Sequence, residues 1–387
     1  MRSLLTILAL WCAGLGAAAQ FGKISVAYQA LGAAYPGLDG IWLGLMVSIV
    51  GMVGLVFGTT AGLVVARVGA RRAILTALAL GAVVSLVESF LPPYPVMMLA
   101  RVLEGASHLA IVVVGPTAIA AAAPPNRQGA AMTLWSSFFG LTYAVLAWVG
   151  PGILQDYGIE GLFRLHALWL LACLVALWPL MPADVKVARL TGKGGLLAQH
   201  WQIYASPFIA APATGFVCYT VTYVAILTLM PKAMGVWGPF AAVAMPLTSI
   251  AVSLTLGIWL LSRVSAVRLV EAGFAGSAVA AIGVWVSWDS DGVIVAALLL
   301  AACLGIVQGA SFSSIPQLNP KPEDRARAAG AVAQLGNLGT TTGTPLLALL
   351  MQKAGVGGLT LFLLGFSVLG LTIHLAQAGR RRSVGLP

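Results

Sequence analysis

The stretch Gly62-Leu63-Val64-Val65-Ala66-Arg67-Val68-Gly69-Ala70-Arg71-Arg72 joins two long apolar runs and carries three arginines in its last six residues. Its residue types fit a connection between two membrane helices. The small Gly62 lets the end of one helix pack closely on a neighbour. Gly69 allows a tight turn, because glycine adopts positive φ at little cost. The arginines then stay in cytoplasmic water or at anionic headgroups.

Composition extends this reading to the whole chain. The 387 residues are 60 % hydrophobic and only 8 % charged, with a mean hydropathy of +0.97. Soluble domains are about a quarter charged, so nearly all of this chain belongs in a bilayer, whose core takes about 20 apolar residues per helix. Twelve spans can be marked, near 4–30, 40–64, 73–92, 95–121, 129–151, 161–181, 206–230, 237–261, 269–288, 292–315, 329–351 and 357–378. Pro92-Pro93, Pro124-Pro125 and Pro320-Lys321-Pro322 punctuate the gaps between them, as helix breakers do. The N-terminal run from Leu4 to Ala19 imitates a cleavable signal peptide. It continues past Ala19, and removing it would leave an odd number of spans, so it is read as a retained first helix.

Lysine and arginine are distributed unevenly over the two sides. Sixteen of the 21 fall in loops on one side, from Arg2 and the Arg67–Arg72 turn through Arg127, Lys186, Arg189 and Lys193 to Arg380–Arg382. Three fall on the other side, Arg164, Lys232 and Lys353, while Lys23 and Arg101 lie inside spans. This bias places both termini and the central loop in the cytoplasm. The net charge of +10 therefore reflects orientation. Nucleic acid is not an expected partner, since the basic residues form no exposed stripe interleaved with aromatics. Cys12, Cys173, Cys218 and Cys303 lie far apart inside apolar runs and read as small core residues.

The chain also repeats itself. Arg67-Val68-Gly69-Ala70-Arg71-Arg72 recurs as Arg263-Val264-Ser265-Ala266-Val267-Arg268, and Glu104-Gly105-Ala106-Ser107 is echoed by Gln308-Gly309-Ala310-Ser311. The segment from Pro125 to Ala131 resembles that from Pro322 to Ala331. The opening stretch, with Gly62, Arg67, Gly69, Arg71 and Arg72, resembles the GxLaDrxGrRr signature loop between helices 2 and 3 of the major facilitator superfamily; its acidic position is Ala66 here. In the family that acid is associated with latching the outward-facing state, so this loop is the candidate gating loop, and Ala66 leaves its inward–outward balance open. The resemblance implies an all-α integral membrane fold of twelve transmembrane helices in two pseudo-symmetric six-helix bundles. The expected division is residues 1–181, a linker at 182–205, and residues 206–387. It further implies alternating access around a midplane site between the halves.

An ionisable group inside a span is costly and counts as a functional hypothesis. Arg101, Glu104 and His108 stand at i, i+3 and i+7 in the fourth span, within about 60° of one another on a helix. Arg101 and Gly105 resemble the family's RxxxG signature, whose arginine is associated with proton coupling; glutamine is commoner than glutamate at the position of Glu104. Glu104, partnered by Arg101, reads as a protonation site or as half of a structural pair. His108 is either a relay or a histidine satisfied by a backbone carbonyl. Gln20 and Lys23 belong to a small-and-polar stripe in the first span. Lys23 either faces a cavity or snorkels outward, and Glu88 is expected at the interface. Two cations against one acid would suit a small anionic substrate.

The second half offers hydroxyls and amides instead, among them Tyr219, Tyr223, Gln308 and Asn337. These either bind substrate or hold helices together. Trp135 is a candidate cavity wall. Gly140 and Gly150-Pro151-Gly152 resemble the antiporter signature of helix 5 only weakly, since Ile153-Leu154 follows. No phosphate-cradling Gly-Lys-Ser/Thr loop and no metal-ligand spacing is present in the sequence. The expectation is a monomeric, multi-pass inner-membrane secondary transporter, with no enzymatic activity, cofactor or metal, that moves a small organic or inorganic anion with protons. The alternative is proton-driven efflux of amphipathic compounds. An intramembrane enzyme or a sensor is a third and weaker reading.

Overall fold

The computed structural model describes residues 2–124, 131, 134–135, 137–184 and 196–383, with the side chains at 59, 62, 63, 66, 67, 196–199, 322, 323 and 326 excepted. Among the described residues every regular element is helical. The chain divides into two compact units, Met1–Leu190 and Thr191–Pro387. Among the described residues nine helices are long and apolar enough to cross a membrane, or ten if a pair bent by 54° is one span.

The first unit opens with α1 (Arg2–Val26), a break at Ala27, and the short α2 (Tyr28–Ala34). The first span is thus shorter than expected. The second span is broken into α3 (Gly40–Ser48) and α4 (Gly51–Val68), the pair bent by 54°. Asp39 starts α3 by accepting from the backbone N–H groups of Ile41 and Trp42 at 3.0 and 3.1 Å, satisfying donors that have no partner inside the helix. Then come α5 (Ala70–Glu88), α6 (Tyr94–Ala122) and α7 (Phe138–Leu180).

In the second unit α8 (Leu196–Ala205) precedes α9 (Ala211–Ala233). The next span is α10 (Gly238–Val252), a π-helical turn over Ser253–Gly257, and α11 (Ile258–Leu261). It is followed by α12 (Ala266–Val286), α13 (Gly292–Leu318) and α14 (Pro322–Ser383).

Two of these helices change direction at a single glycine. Gly158 in α7 has φ 68° and ψ −173°, and Gly355 in α14 has φ 55° and ψ −129°. Such backbone is open only to glycine. The expected gaps at 152–160 and 352–356 therefore shrink to one residue each. Hydropathy marks the part of a helix suited to a bilayer core, whereas backbone hydrogen bonding carries exposed Asp156 and Lys353 on as helix.

Packing within each unit relies on small residues. A Cβ at Gly105 of α6 would run into the backbone carbonyl of Val50, and one at Gly305 of α13 into that of Ser249. Gly339 and Gly343 of α14 meet the α9 backbone at Val217 and Val221 in the same way. Such close approach replaces the hydrophobic drive that is missing between helices in lipid. The core of the first unit gathers Leu10, Ile74, Leu78, Ile111, Val114 and Leu170, all fully buried. Leu4, Val83, Leu99, Leu168 and Val175 point outward instead, each at least 60 % exposed. A protein that is apolar inside and out is built for a lipid solvent.

Candidate functional site

The first unit buries a group of charged side chains from three helices, with a histidine from a fourth. Lys23 comes from α1, Glu88 is the last residue of α5, Arg101 and Glu104 come from α6, and His166 follows the Gly158 turn in α7. Lys23, Glu88, Arg101 and Glu104 are all 0 % exposed. Isolated charges here would be prohibitive, so each must have partners.

The Lys23 ammonium provides most of the pairing. Its Nζ donates to Glu88 Oε2 at 2.6 Å, Glu104 Oε1 at 2.7 Å and Ser85 Oγ at 2.8 Å. His166 Nδ1 lies 3.3 Å away, and the ring of Phe163 is 4.8 Å from the charge. The other cation, Arg101, pairs its Nη1 with Glu104 Oε2 and lies 3.7 Å from Glu88 Oε1. By count the four charges cancel.

Arg101 has a second task. Its Nε donates to Met46 O at 3.0 Å, and its Nη2 donates to Val47 O at 3.4 Å and Gln20 O at 2.7 Å. Met46 and Val47 lie in the last turn of α3, before the 54° bend, where the last carbonyls lack helical partners. The guanidinium supplies donors there, and its positive charge suits a helix C-terminus. One side chain thus ties the charge group to the break in the second span.

The histidines can be assigned from what they face. His166 Nε2 lies 2.9 Å from Gly16 O; a carbonyl only accepts, so that nitrogen carries the proton and Nδ1 is the acceptor in the neutral ring. Nδ1 faces Lys23 and, at 2.9 Å, Ser85 Oγ. His108 Nδ1 lies 3.0 Å from Ala17 O, and its ring packs edge-on against Phe21. A backbone carbonyl therefore satisfies Nδ1 of His108.

The residues singled out in the sequence are thus only partly together. Lys23, Gln20, Arg101 and Glu104 converge; Gln20 Nε2 donates to Ser107 Oγ at 3.1 Å, and its Oε1 has no partner among the described residues. Lys23 does not snorkel, being wholly enclosed. Trp135 fills a notch over Gly14 and Gly115 and lies tilted by 34° against Phe138, ring centroids 4.8 Å apart. In the second unit Tyr219 is stacked between Phe216 and Tyr223, both at 5.1 Å, and its buried hydroxyl has no partner among the described residues. Gln308 is half-buried on α13. Asn337 Nδ2 donates within its own helix, to Ala333 O at 2.8 Å.

Glu88 requires a correction. Expected at the interface, it is buried and paired with Lys23. The excess of cations over acid that favoured an anion disappears with it. His166 was not singled out at all, although a lone histidine in an apolar run carries the same signal as His108.

In the candidate gating loop, Gly69 (φ 96°, ψ 143°) separates α4 from α5; the side chains of Gly62, Ala66 and Arg67 lie outside the described residues. An acid nonetheless stands at this turn. Asp184 Oδ1 and Oδ2 accept from the backbone N–H groups of Arg71 and Arg72 at 2.8 and 3.0 Å, capping α5. A Cβ at Gly69 would fall on that carboxylate. Arg71 Nη2 donates to Trp178 O at 2.7 Å. The basic linker residues Lys186, Arg189 and Lys193, and Arg127, lie outside the described residues.

No curated protein matches the chain. A family model described as the Major Facilitator Superfamily matches residues 6–318, well over half its length. With its polytopic helical fold and glycine-packed units, the chain belongs to the Major Facilitator Superfamily, a family of secondary transporters.

Proposed function

We propose that the protein moves a small organic or inorganic anion across the cytoplasmic membrane by alternating access, with the Lys23–Glu88–Arg101–Glu104 group linking transport to protons. The reading includes twelve spans in two six-helix halves, both termini in the cytoplasm, and the Gly69–Arg72 turn as part of the gate. The observation that carries it is the closed, buried charge group, neutral by count. Neutralising one carboxylate with a proton leaves one net positive charge and loosens the hold on Lys23. That is the state that attracts an anion, so proton and anion bind together. A balanced ion group with no such role would be costly to keep in a membrane span.

The test is thermal stability of the purified full-length protein in detergent, at acidic and neutral pH. The panel is acetate, lactate, nitrate, phosphate, tetraphenylphosphonium and glucose. A ligand that binds only the folded state stabilises it by about 2.7 kcal/mol at a hundred times its Kd. The expected result is stabilisation by at least one anion, larger at acidic pH, with the increment lost in Lys23→Ala. Stabilisation by the lipophilic cation alone would overturn the anion reading in favour of efflux of amphipathic compounds.

A further inference from the structure

We infer that Glu88, not Glu104, is the carboxylate that takes up the coupling proton. This rests on the proton-linked reading above and concerns the same site. Three observations carry it.

The first is an asymmetry of partners. Both oxygens of Glu104 are held by cations, Oε1 by Lys23 at 2.7 Å and Oε2 by Arg101, with His166 Nδ1 a further 3.7 Å from Oε1. Glu88 has one oxygen so held, Oε2 on Lys23 at 2.6 Å. Its Oε1 is buried with no hydrogen-bond partner among the described residues, and the Arg101 guanidinium is 3.7 Å away. The hydroxyls nearby are committed elsewhere, Ser85 toward Phe163 O and His166, Tyr35 to Pro92 O at 2.7 Å. A buried acceptor without a donor is a standing cost. A proton placed on Oε1 breaks no hydrogen bond and turns the unpaired acceptor into an O–H donor open to an incoming anion, whereas a proton on Glu104 would displace Lys23 or Arg101.

The second is position. Glu88 closes α5, at the end opposite the Arg71–Arg72 turn. The short connection that follows contains Phe90, 70 % exposed, and Leu91, whose φ of 47° is the positive value of a non-glycine residue among those described. Such backbone is strained and persists where its surroundings require it. Here the tight turn, with Leu91 N–H bonded to Glu88 O at 3.0 Å, keeps Glu88 at the end of α5, two residues from the exposed Phe90.

The third is connection. Lys23 bridges the two carboxylates, Glu104 holds Arg101, and Arg101 holds two carbonyls in the last turn of α3. A proton entering from water at the Phe90 end binds Oε1 and converts the carboxylate to a neutral acid. The group changes from neutral to one net positive charge, and the acid O–H and the Lys23 ammonium become donors for an anion. Release of the proton to water restores the carboxylate. The ionisable groups around Glu88 are Lys23 from α1, Tyr35 after α2, Arg101 and Glu104 from α6, and His166 from α7.

The experiment is pH-difference infrared spectroscopy of the full-length protein in lipid vesicles, with protons alone as the probe. Acidification of the wild type should produce the C=O band of a buried, protonated carboxylic acid. That band should be lost in Glu88→Gln, kept in Glu104→Gln, and kept with a shifted titration midpoint in Glu88→Asp. The Asp variant retains the charge, so its shift decides the matter if Glu88→Gln does not fold. A band lost in Glu104→Gln and unchanged in both Glu88 variants would overturn the assignment while leaving proton coupling intact. A wild type with no such band would overturn the proton-linked reading together with it.

Discussion

Replacing Lys23 with methionine removes the ammonium and keeps most of the volume. The structure sets the size of the effect. The ammonium lies 2.6 and 2.7 Å from two fully buried carboxylates. At the effective dielectric that describes protein sites, about 20, each contact is worth about 6 kcal/mol in gross attraction. Most of that is offset by the cost of taking the charges out of water, and the loss on removing one partner of a buried pair is about 3–5 kcal/mol. Two carboxylates lose a partner here, so the upper half of that range is expected. The folded-to-unfolded ratio should then fall by about a thousandfold or more.

The same counting predicts a rescue. Glu88→Gln on top of Lys23→Met leaves Arg101 facing Glu104, a balanced pair in direct contact, and should recover about 2 kcal/mol, within the range for coupled neighbours. Glu104→Gln should recover less, because it leaves Arg101 only Glu88, 3.7 Å away. The single-variant loss should shrink as pH falls, since protonating the spare carboxylate restores the charge balance. Unfolding in mixed detergent micelles, followed by tryptophan fluorescence at several pH values, measures all of this. A single variant within about 0.5 kcal/mol of wild type, the scale of a surface change, would refute the reasoning. So would a rescue larger with Glu104→Gln than with Glu88→Gln.

Three further outcomes follow from the packing. Asp184→Ala should cost about 1 kcal/mol, the scale of a lost cap, and speed hydrogen exchange at the amides of Arg71 and Arg72, which exchange mass spectrometry would resolve; unchanged exchange there would rule out the cap. Gly105→Ala should cost about 1–3 kcal/mol by overpacking against the Val50 carbonyl, whereas Gly152→Ala, with open space around it, should be neutral or stabilising in a thermal melt. Trp135→Ala should cost about 3–5 kcal/mol as a large-to-small core change while leaving any anion-dependent stabilisation intact; loss of that increment would instead identify Trp135 as a cavity wall.

What could be read from the sequence depended on whether a residue's meaning was local. Lys23 and Arg101 stood out because a charge inside an apolar run is an anomaly wherever it occurs. Glu104 followed, since i and i+3 face the same way on a helix. Glu88 was misplaced for a physical reason: it is the last residue before Ser89-Phe90-Leu91-Pro92-Pro93, and the end of an apolar run normally meets the headgroups. The partners that draw it inward lie 65 and 13 positions away, in Lys23 and Arg101, and periodicity carries no information on those distances. Asp184 was invisible for the same reason, 113 positions from the Arg71 amide it accepts from. In the second unit, Thr222, Asn337 and Thr341 bond carbonyls within their own helices. Their spacing alone could not distinguish that from a binding face.

The charge group and the broken second span are best understood as one device, because Arg101 belongs to both. An unbroken helix would satisfy the carbonyls of Met46 and Val47 itself; the bend at Ile49 and Val50 leaves them to the guanidinium. Lysine could not do this, since three donors on a point charge do not match carbonyls from α3 and α1 and a carboxylate together. Any event that shifts the balance among Lys23, Glu88 and Glu104 therefore changes the field on Arg101 and with it the hold on the bend. Conversely, straightening the bend withdraws two acceptors from Arg101 and throws it onto the carboxylates. Coupling of this kind needs no long pathway. It needs one side chain whose two sets of partners have different reasons to let go.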